Sequence, residues 1–336
     1  MVRILLLAVC AAMLAGSAYG QAPVEGEAIT FDENLKGYPY PFEVKNYAFH
    51  SQGRDLQMAY MYLPAKDPAK GVVTLLHGKN FNGAYWQQTA EYLQSLGYGV
   101  LMPDQIGFGK STKATSYQYS FAVLAQNTKQ LMQSLGIEKS IVVGHSMGGM
   151  LASRFALLYP EATTQLILVN PIGLENYLQY VQYKDVQFFF ENELGSTPEK
   201  IVEYQKKNYY DGAWNGRYAA LTLPLVGWVQ GDDWNKLAYV SALTYDMIFT
   251  QPVVEEFKDF QVPTTLIIGT RDRTGPGRNW MKPGVEFELG RYDLIGERIQ
   301  QRNPNIKVVE LDGLGHLPHI EDFTRFKMAF TGALQP

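Results

Sequence analysis

The chain has 336 residues, 46% of them hydrophobic and 18% charged, enough apolar material for a large buried core. Its formal net charge is −4, with both signs scattered and no basic block, which excludes nucleic acid as a partner because phosphate binding needs concentrated positive surface. The single cysteine, Cys10, lies in the first apolar run, so the rest of the chain can hold no thiol nucleophile, disulfide or thiolate metal site.

Residues 1–20 read as an export signal. Arg3 supplies the positive start, residues 4–14 the apolar run, and Ala18-Tyr19-Gly20 a small-x-small cleavage site. The run is shorter than the ~20 residues needed to cross a bilayer, so the expectation is a periplasmic or secreted protein without a stable membrane anchor. Residues 21–42 form an irregular arm ending in Tyr38-Pro39-Tyr40-Pro41-Phe42, with aromatic rings available for docking.

From residue 43 onward short apolar runs alternate with helix-length stretches. Strands are predicted at 44–50, 56–63, 72–76, 100–102, 141–143, 166–169, 266–268 and 307–311. Several are solid Val/Ile/Leu blocks, as expected where both faces of a parallel sheet are covered. Amphipathic segments at 84–96, 121–135 and 147–158 are long enough for crossover helices. The alternation predicts a doubly wound, mostly parallel eight-stranded α/β sheet with its core in residues 43–171 and 259–336. Residues 172–258 have helical patterning and no strand block, too long for a plain connection, and predict an inserted helical cap. Residues 273–290, with Gly275-Pro276-Gly277 and Pro283-Gly284, predict a loop.

The strongest chemical signal is Gly144-His145-Ser146-Met147-Gly148, a G-x-S-x-G between an apolar strand and an amphipathic helix. A serine there sits on a tight strand-to-helix turn, and glycines on either side admit neighbouring backbone. The Met147 N–H, at the positive end of the helix, can face a developing oxyanion. A serine hydroxyl needs a base. Of five histidines, His145 is the elbow's own residue, His77 props the turn after a strand, and His50 belongs to no motif. His316, in Gly315-His316-Leu317-Pro318-His319 directly after the last strand, is the candidate base, and His319 heads the final helix. Asp272, at the end of Leu266-Ile267-Ile268-Gly269-Thr270-Arg271, is the candidate acid, with Asp293 and Asp312 as fallbacks. The alternative acid position one strand earlier reads Val169-Asn170-Pro171 and lacks a carboxylate. The loop His77-Gly78-Lys79-Asn80 is expected to donate the second oxyanion N–H from Lys79, with the lysine side chain turned to solvent. No cofactor or metal is called for.

HG-K-N, P-D-x-x-G-x-G-x-S, G-H-S-M-G-G and G-H-x-P together resemble the α/β-hydrolase superfamily in its capped serine branch, over roughly residues 70–335. That branch includes esterases, carbon–carbon bond hydrolases and proline iminopeptidases. The order Ser146, Asp272, His316 matches its nucleophile–acid–base order. The resemblance implies a triad hydrolase; one scaffold there serves many substrates. The cap carries many aromatic residues, among them Phe188, Phe189, Trp228, Trp234 and Tyr245. Most are expected to pack the cap onto the sheet, and a minority to line a pocket for an apolar or aromatic acyl group. The leading expectation is hydrolysis of a small or medium ester-like molecule. Cleavage of a carbon–carbon bond, removal of a peptide's first residue, and non-catalytic ligand binding are the alternatives.

Overall fold

The computed structural model describes residues 29–335; the expected leader at 1–20 and the start of the arm lie outside the described residues. The chain enters through an irregular segment and then forms β1 (Val44–Ser51) and β2 (Arg54–Leu63). These pair as a hairpin whose turn residues Gln52 and Gly53 both have positive φ, the geometry that suits right-twisted strands.

Four further strands alternate with helices next: β3 (Val72–Leu76), α1 (Gln87–Ser95), β4 (Gly99–Pro103), α2 (Phe121–Ser134), β5 (Ser140–His145), α3 (Met147–Leu158) and β6 (Thr163–Val169). Four helices come next: α4 (Val186–Leu194), α5 (Pro198–Tyr209), α6 (Gly216–Val229) and α7 (Trp234–Thr250). The chain closes with β7 (Thr264–Gly269), α8 (Tyr292–Arg302), β8 (Lys307–Leu311), α9 (Pro318–Glu321) and α10 (Phe323–Ala333).

The strands make one eight-stranded sheet in the order β1-β2-β4-β3-β5-β6-β7-β8. Only β2 runs against its neighbours; from β4 to β8 every pairing is parallel. Every residue of β4, β5 and β7 is buried, because helices cover both faces there. One face packs α2, α3 and α8 through Phe121, Leu124, Phe155, Ile295 and Ile299. The other packs α1 and α10 through Trp86, Leu93, Phe326 and Phe330.

The arm meets α6 and α7 in a third apolar cluster of Leu35, Trp228 and Leu237, flanked by Phe31, Tyr38 and Tyr40. Phe31 N–H donates to Gly227 O at 3.0 Å and Trp228 Nε1 to Asp32 O at 2.9 Å. Residues 273–290 contain one 3₁₀ turn (Arg278–Trp280) and a single bridge from Met281 to Val181. Among the described residues no helix is long and apolar enough to cross a membrane.

Candidate active site

The site lies at the carboxyl ends of β3, β5, β7 and β8, where a parallel sheet delivers its loops to one edge. Ser146 joins β5 to α3 with φ 56° and ψ −123°, a left-handed conformation that a serine adopts only where its surroundings hold it. The flanking glycines make that turn fit. A Cβ on Gly144 would stand 2.1 Å from Gly148 O, and one on Gly148 would stand 2.2 Å from Leu76 O. Any side chain at either position would break the elbow.

Three distant residues meet in line. Ser146 Oγ is 3.0 Å from His316 Nε2, and His316 Nδ1 is 2.7 Å from Asp272 Oδ2. All three side chains are buried, Asp272 and His316 almost completely. An ionised carboxylate only accepts, so Nδ1 carries the imidazole proton and Nε2 is the acceptor for the serine hydroxyl. Burial pushes the Asp272 carboxyl up. The charge and hydrogen bond of His316, and donors from Thr274 and Asn170, outweigh burial and leave it below the ordinary aspartate range.

The fallback acids are occupied elsewhere: Asp293 pairs with Arg291 at 2.7 Å, and Asp312 accepts from Thr270 Oγ1 at 3.1 Å. Neither neighbouring arginine captures the Asp272 carboxylate. Arg271 bonds Glu321 with both contacts under 3 Å, and Arg273 Nη1 donates to the Asp272 backbone carbonyl. His50 pairs with Asp55 on the exposed β-hairpin. His319 is buried and stacks on Trp86 with ring centroids 4.6 Å apart.

His145 and His77 tie the loops together. His77 Nε2 accepts from Gln105 N–H at 3.0 Å, which makes Nδ1 the donor to Gly78 O at 2.9 Å. The Gly78 N–H donates to Tyr85 Oη (3.0 Å), which lies 2.9 Å from His145 Nδ1; His145 Nε2 is 2.8 Å from His316 O. A carbonyl can only accept, so Nε2 is the His145 donor and Tyr85 gives its proton to Nδ1. The chain of bonds runs from the loop after β3 to the backbone of His316.

Gly78 itself lies against Ser146: a Cβ built on it would be 3.0 Å from Ser146 Cβ. The next peptide belongs to Lys79, and Met147 opens α3, where a first-turn N–H has no partner within the helix. Among the described residues neither the Lys79 nor the Met147 N–H has a backbone acceptor.

Two features differ from the sequence expectation. The Lys79 side chain is half-buried and its ammonium points inward, not out to solvent. It turns toward α7 and donates to Ser241 O (2.8 Å), Ser241 Oγ (3.0 Å) and Thr244 Oγ1 (2.7 Å), because an ammonium with three hydroxyl and carbonyl acceptors is better satisfied there than on the loop surface. Asn170, expected only to lack a carboxylate, is part of the site. Its Nδ2 donates to Asp272 Oδ2 at 2.9 Å while its Oδ1 accepts from Gly269 N–H at 2.9 Å. Its φ of 38° is one that asparagine tolerates better than most residues, and that, with its position at the end of β6, was the available signal.

Above Lys79 and Asn80 a cavity of about 340 Å³ opens between the loops and α4–α7, lined by Phe108, Phe189, Tyr204, Trp228, Tyr245 and Trp280 among others. Its walls combine aromatic and aliphatic side chains with eight polar or charged residues, among them Lys79, Glu193, Lys200 and Ser241. Among the described residues no group of three or more His, Cys, Asp or Glu side chains is arranged to hold a metal.

Comparison with known proteins agrees with this architecture. A family model described as alpha/beta hydrolase fold matches residues 71–282. A solved structure of a probable hydrolytic enzyme from Pseudomonas aeruginosa PAO1 is 41% identical, with a TM-score of 0.88 over 92% of this chain and 99% of that chain. A thermophilic esterase from Thermogutta terrifontis shares the fold at 18% identity, with a TM-score of 0.66 over 87% of this chain and 98% of its own. Among curated relatives, a 2-hydroxy-6-oxononadienedioate/2-hydroxy-6-oxononatrienedioate hydrolase of Comamonas testosteroni is 40% identical over 112 residues, 32% of this chain and 38% of that protein. A 2-hydroxy-6-oxo-6-phenylhexa-2,4-dienoate hydrolase of Burkholderia cepacia is 39% identical over 108 residues, 30% of this chain and 37% of its own length. The matches to these curated relatives thus span less than two fifths of each relative.

Proposed function

We propose that this chain, which belongs to the α/β-hydrolase fold family, is a serine hydrolase that cleaves small or medium ester-like molecules through an acyl-enzyme. The observation that carries the reading is the unbroken line of hydrogen bonds from Ser146 Oγ through His316 to Asp272. Ser146 Oγ attacks the substrate carbonyl as His316 Nε2 takes its proton. The negative charge that forms on the carbonyl oxygen is held by the Lys79 and Met147 N–H groups, and the imidazolium by Asp272. The imidazolium then protonates the leaving oxygen, freeing the alcohol. Water, deprotonated by the same imidazole, releases the acid and restores Ser146. No cofactor enters these steps.

The apolar or aromatic acyl portion is assigned to the cavity beneath the cap, whose volume accommodates a ring with a short chain. Residues 1–20 complete the proposal: the protein is exported, to the periplasm or beyond, with Gln21 as the mature amino terminus.

A second reading is carbon–carbon bond hydrolysis, favoured by the names of the two curated relatives, both of them hydrolases of 2-hydroxy-6-oxo-dienoates or their diacid analogues. The serine machinery is common to both readings and the leaving atom differs. Turnover of p-nitrophenyl esters of increasing acyl length, set beside turnover of a 2-hydroxy-6-oxo-dienoate, separates them. The ester reading expects kcat/KM to rise with acyl length to a limit set by the cavity, and Ser146→Ala to lose about 10⁴-fold or more. Dienoate turnover with inert esters would replace it by the second reading.

A further inference from the structure

We propose that Lys79 has a second role, carried by its side chain: it is a positioning residue that pins the oxyanion loop to cap helix α7, so that hole and cap form as one unit. The inference rests on the serine-hydrolase reading and extends it from the backbone of Lys79 to its ammonium group.

The geometry accounts for every proton. The ammonium has three N–H groups and three acceptors on α7: Ser241 O, Ser241 Oγ and Thr244 Oγ1. Ser241 Oγ passes its own proton to Glu193 Oε1 on α4 at 3.0 Å, and Thr244 Oγ1 passes its proton to Ser241 O at 2.8 Å. The Nζ also stands 3.9 Å from the centroid of the Tyr245 ring. At the other end of the same residue is the peptide that follows Gly78, whose α-carbon faces Ser146. The next residue repeats the pattern. Asn80 Nδ2 donates to Tyr209 Oη at 2.9 Å, and the Tyr209 ring stacks on His316 with centroids 4.9 Å apart. Two consecutive loop residues thus take their places from α5 and α7.

An anchor of this kind matters because an oxyanion donor works only if it is fixed before charge develops, and a displacement of about 1 Å costs on the order of 100-fold in rate. It also makes the hole sensitive to the charge of Lys79. Burial pulls its pKa down to about 8, against the opposing charge of Glu193. The other groups around it do not compensate: burial holds Tyr245 neutral, Tyr204 is likewise raised, and Lys200, on the cavity rim, donates to Gly195 O. Once neutral, the amine has two N–H groups for three acceptors, and one contact with α7 is lost.

Linkage separates this effect from unfolding. Lysine in the unfolded chain titrates near ~10.4, so between about 8 and that value the unfolded chain binds the extra proton. This group therefore stabilises the fold as pH rises through the window, while activity declines.

The test is p-nitrophenyl ester turnover against pH for the full mature enzyme and for Lys79→Met, Lys79→Arg and Thr244→Val, with Ser146 labelling by a fluorophosphonate in the wild type as a prior check. Lys79→Met is expected to lower kcat about 10- to 100-fold with KM changed much less. Lys79→Arg should recover part of that loss and move the alkaline limb near pH 8 upward, because arginine stays charged. Thr244→Val, which removes one acceptor and keeps the shape, should lower kcat by a smaller factor. Lys79→Met with kcat within twofold of wild type, or an unchanged alkaline limb in Lys79→Arg, overturns the anchor. A wild type whose Ser146 does not label overturns instead the hydrolase reading beneath it.

Discussion

Asp272 gathers three donors on two oxygens: His316 Nδ1 and Asn170 Nδ2 on Oδ2, and the Thr274 N–H on Oδ1 at 2.8 Å. Each favours the charged form, which is how a fully buried carboxylate stays ionised. Asn170 contributes twice, since it also holds Gly269 at the end of β7. Asn170→Ala removes one donor from Asp272 and leaves a buried N–H unpaired. The expected outcome is a kcat about tenfold lower and an acid limb of kcat/KM shifted to higher pH, because an Asp272 with fewer donors protonates more easily; a pH–rate profile checks both. The convergence of Ser146, His316 and Asp272 was legible at this scale because each stands just past the end of a strand of the parallel sheet, in the order the resemblance implies. Asn170 was not, since an amide has no chemistry of its own to announce it. Lys79 was misjudged because a lone lysine on a loop carries no mark of what packs above it.

Element by element, legibility followed burial. β3 was readable to the residue because its largely apolar block begins and ends with the strand, whereas β8 matched at both ends although Lys307 and Glu310 are exposed. β6 starts three residues before its apolar block, at Thr163-Thr164-Gln165, where Gln165 is buried and bonds the backbone of Ala333; polar residues that pair in a sheet give no apolar signal. The helix expected at 84–96 is divided. Asn82 caps a 3₁₀ turn at Gly83–Trp86, and only then does α1 begin. The arm's use of its aromatics depends on tertiary partners. Tyr40 Oη donates to Asp104 Oδ2 at 2.6 Å, and the same carboxylate accepts from the N–H groups of Lys110 and Gly83. Asp104 thus joins the arm, the loop before α1 and the glycine turn after β4, where a Cβ on Gly109 would stand 2.1 Å from it. The arm reaches α6 as well, since a Cβ on Gly227 would collide with the Phe31 ring at 2.2 Å. Sheet, arm and cap helices are thereby held against one another around the cavity.

For the molecule as a whole, the buried histidines set the response to acid. Burial holds His77, His145 and His319 below the ordinary imidazole range, and the neighbouring imidazoles push His145 and His319 further down. Below about pH 6.5 the unfolded chain takes up protons at these positions and the folded chain does not, so stability falls as pH falls. Each contributes about 1.4 kcal/mol per pH unit until its folded value is passed, and they are opposed by Glu175, which burial raises to about 7, and by Glu193, also raised by burial, because these carboxyls take up protons in the folded chain over the same range. Asp272 adds a later loss: its lowered value contributes stability above ~3.9 that disappears as the pH falls below that toward its folded value. Denaturant unfolding of the wild type and of His319→Phe at pH 7, 6 and 5 should therefore show the wild type losing more free energy than the variant as pH falls; equal losses would contradict neutral burial of the His319 ring.

The central claim is that Ser146 is a nucleophile made reactive by His316. Intact-mass and peptide spectrometry of the folded protein after brief treatment with a fluorophosphonate tests it most directly. The account predicts one adduct per chain, on the peptide holding Ser146, formed rapidly in the wild type and at least about 10³-fold more slowly in His316→Ala. An unlabelled Ser146 in folded wild type, or labelling at the same rate without His316, would contradict it.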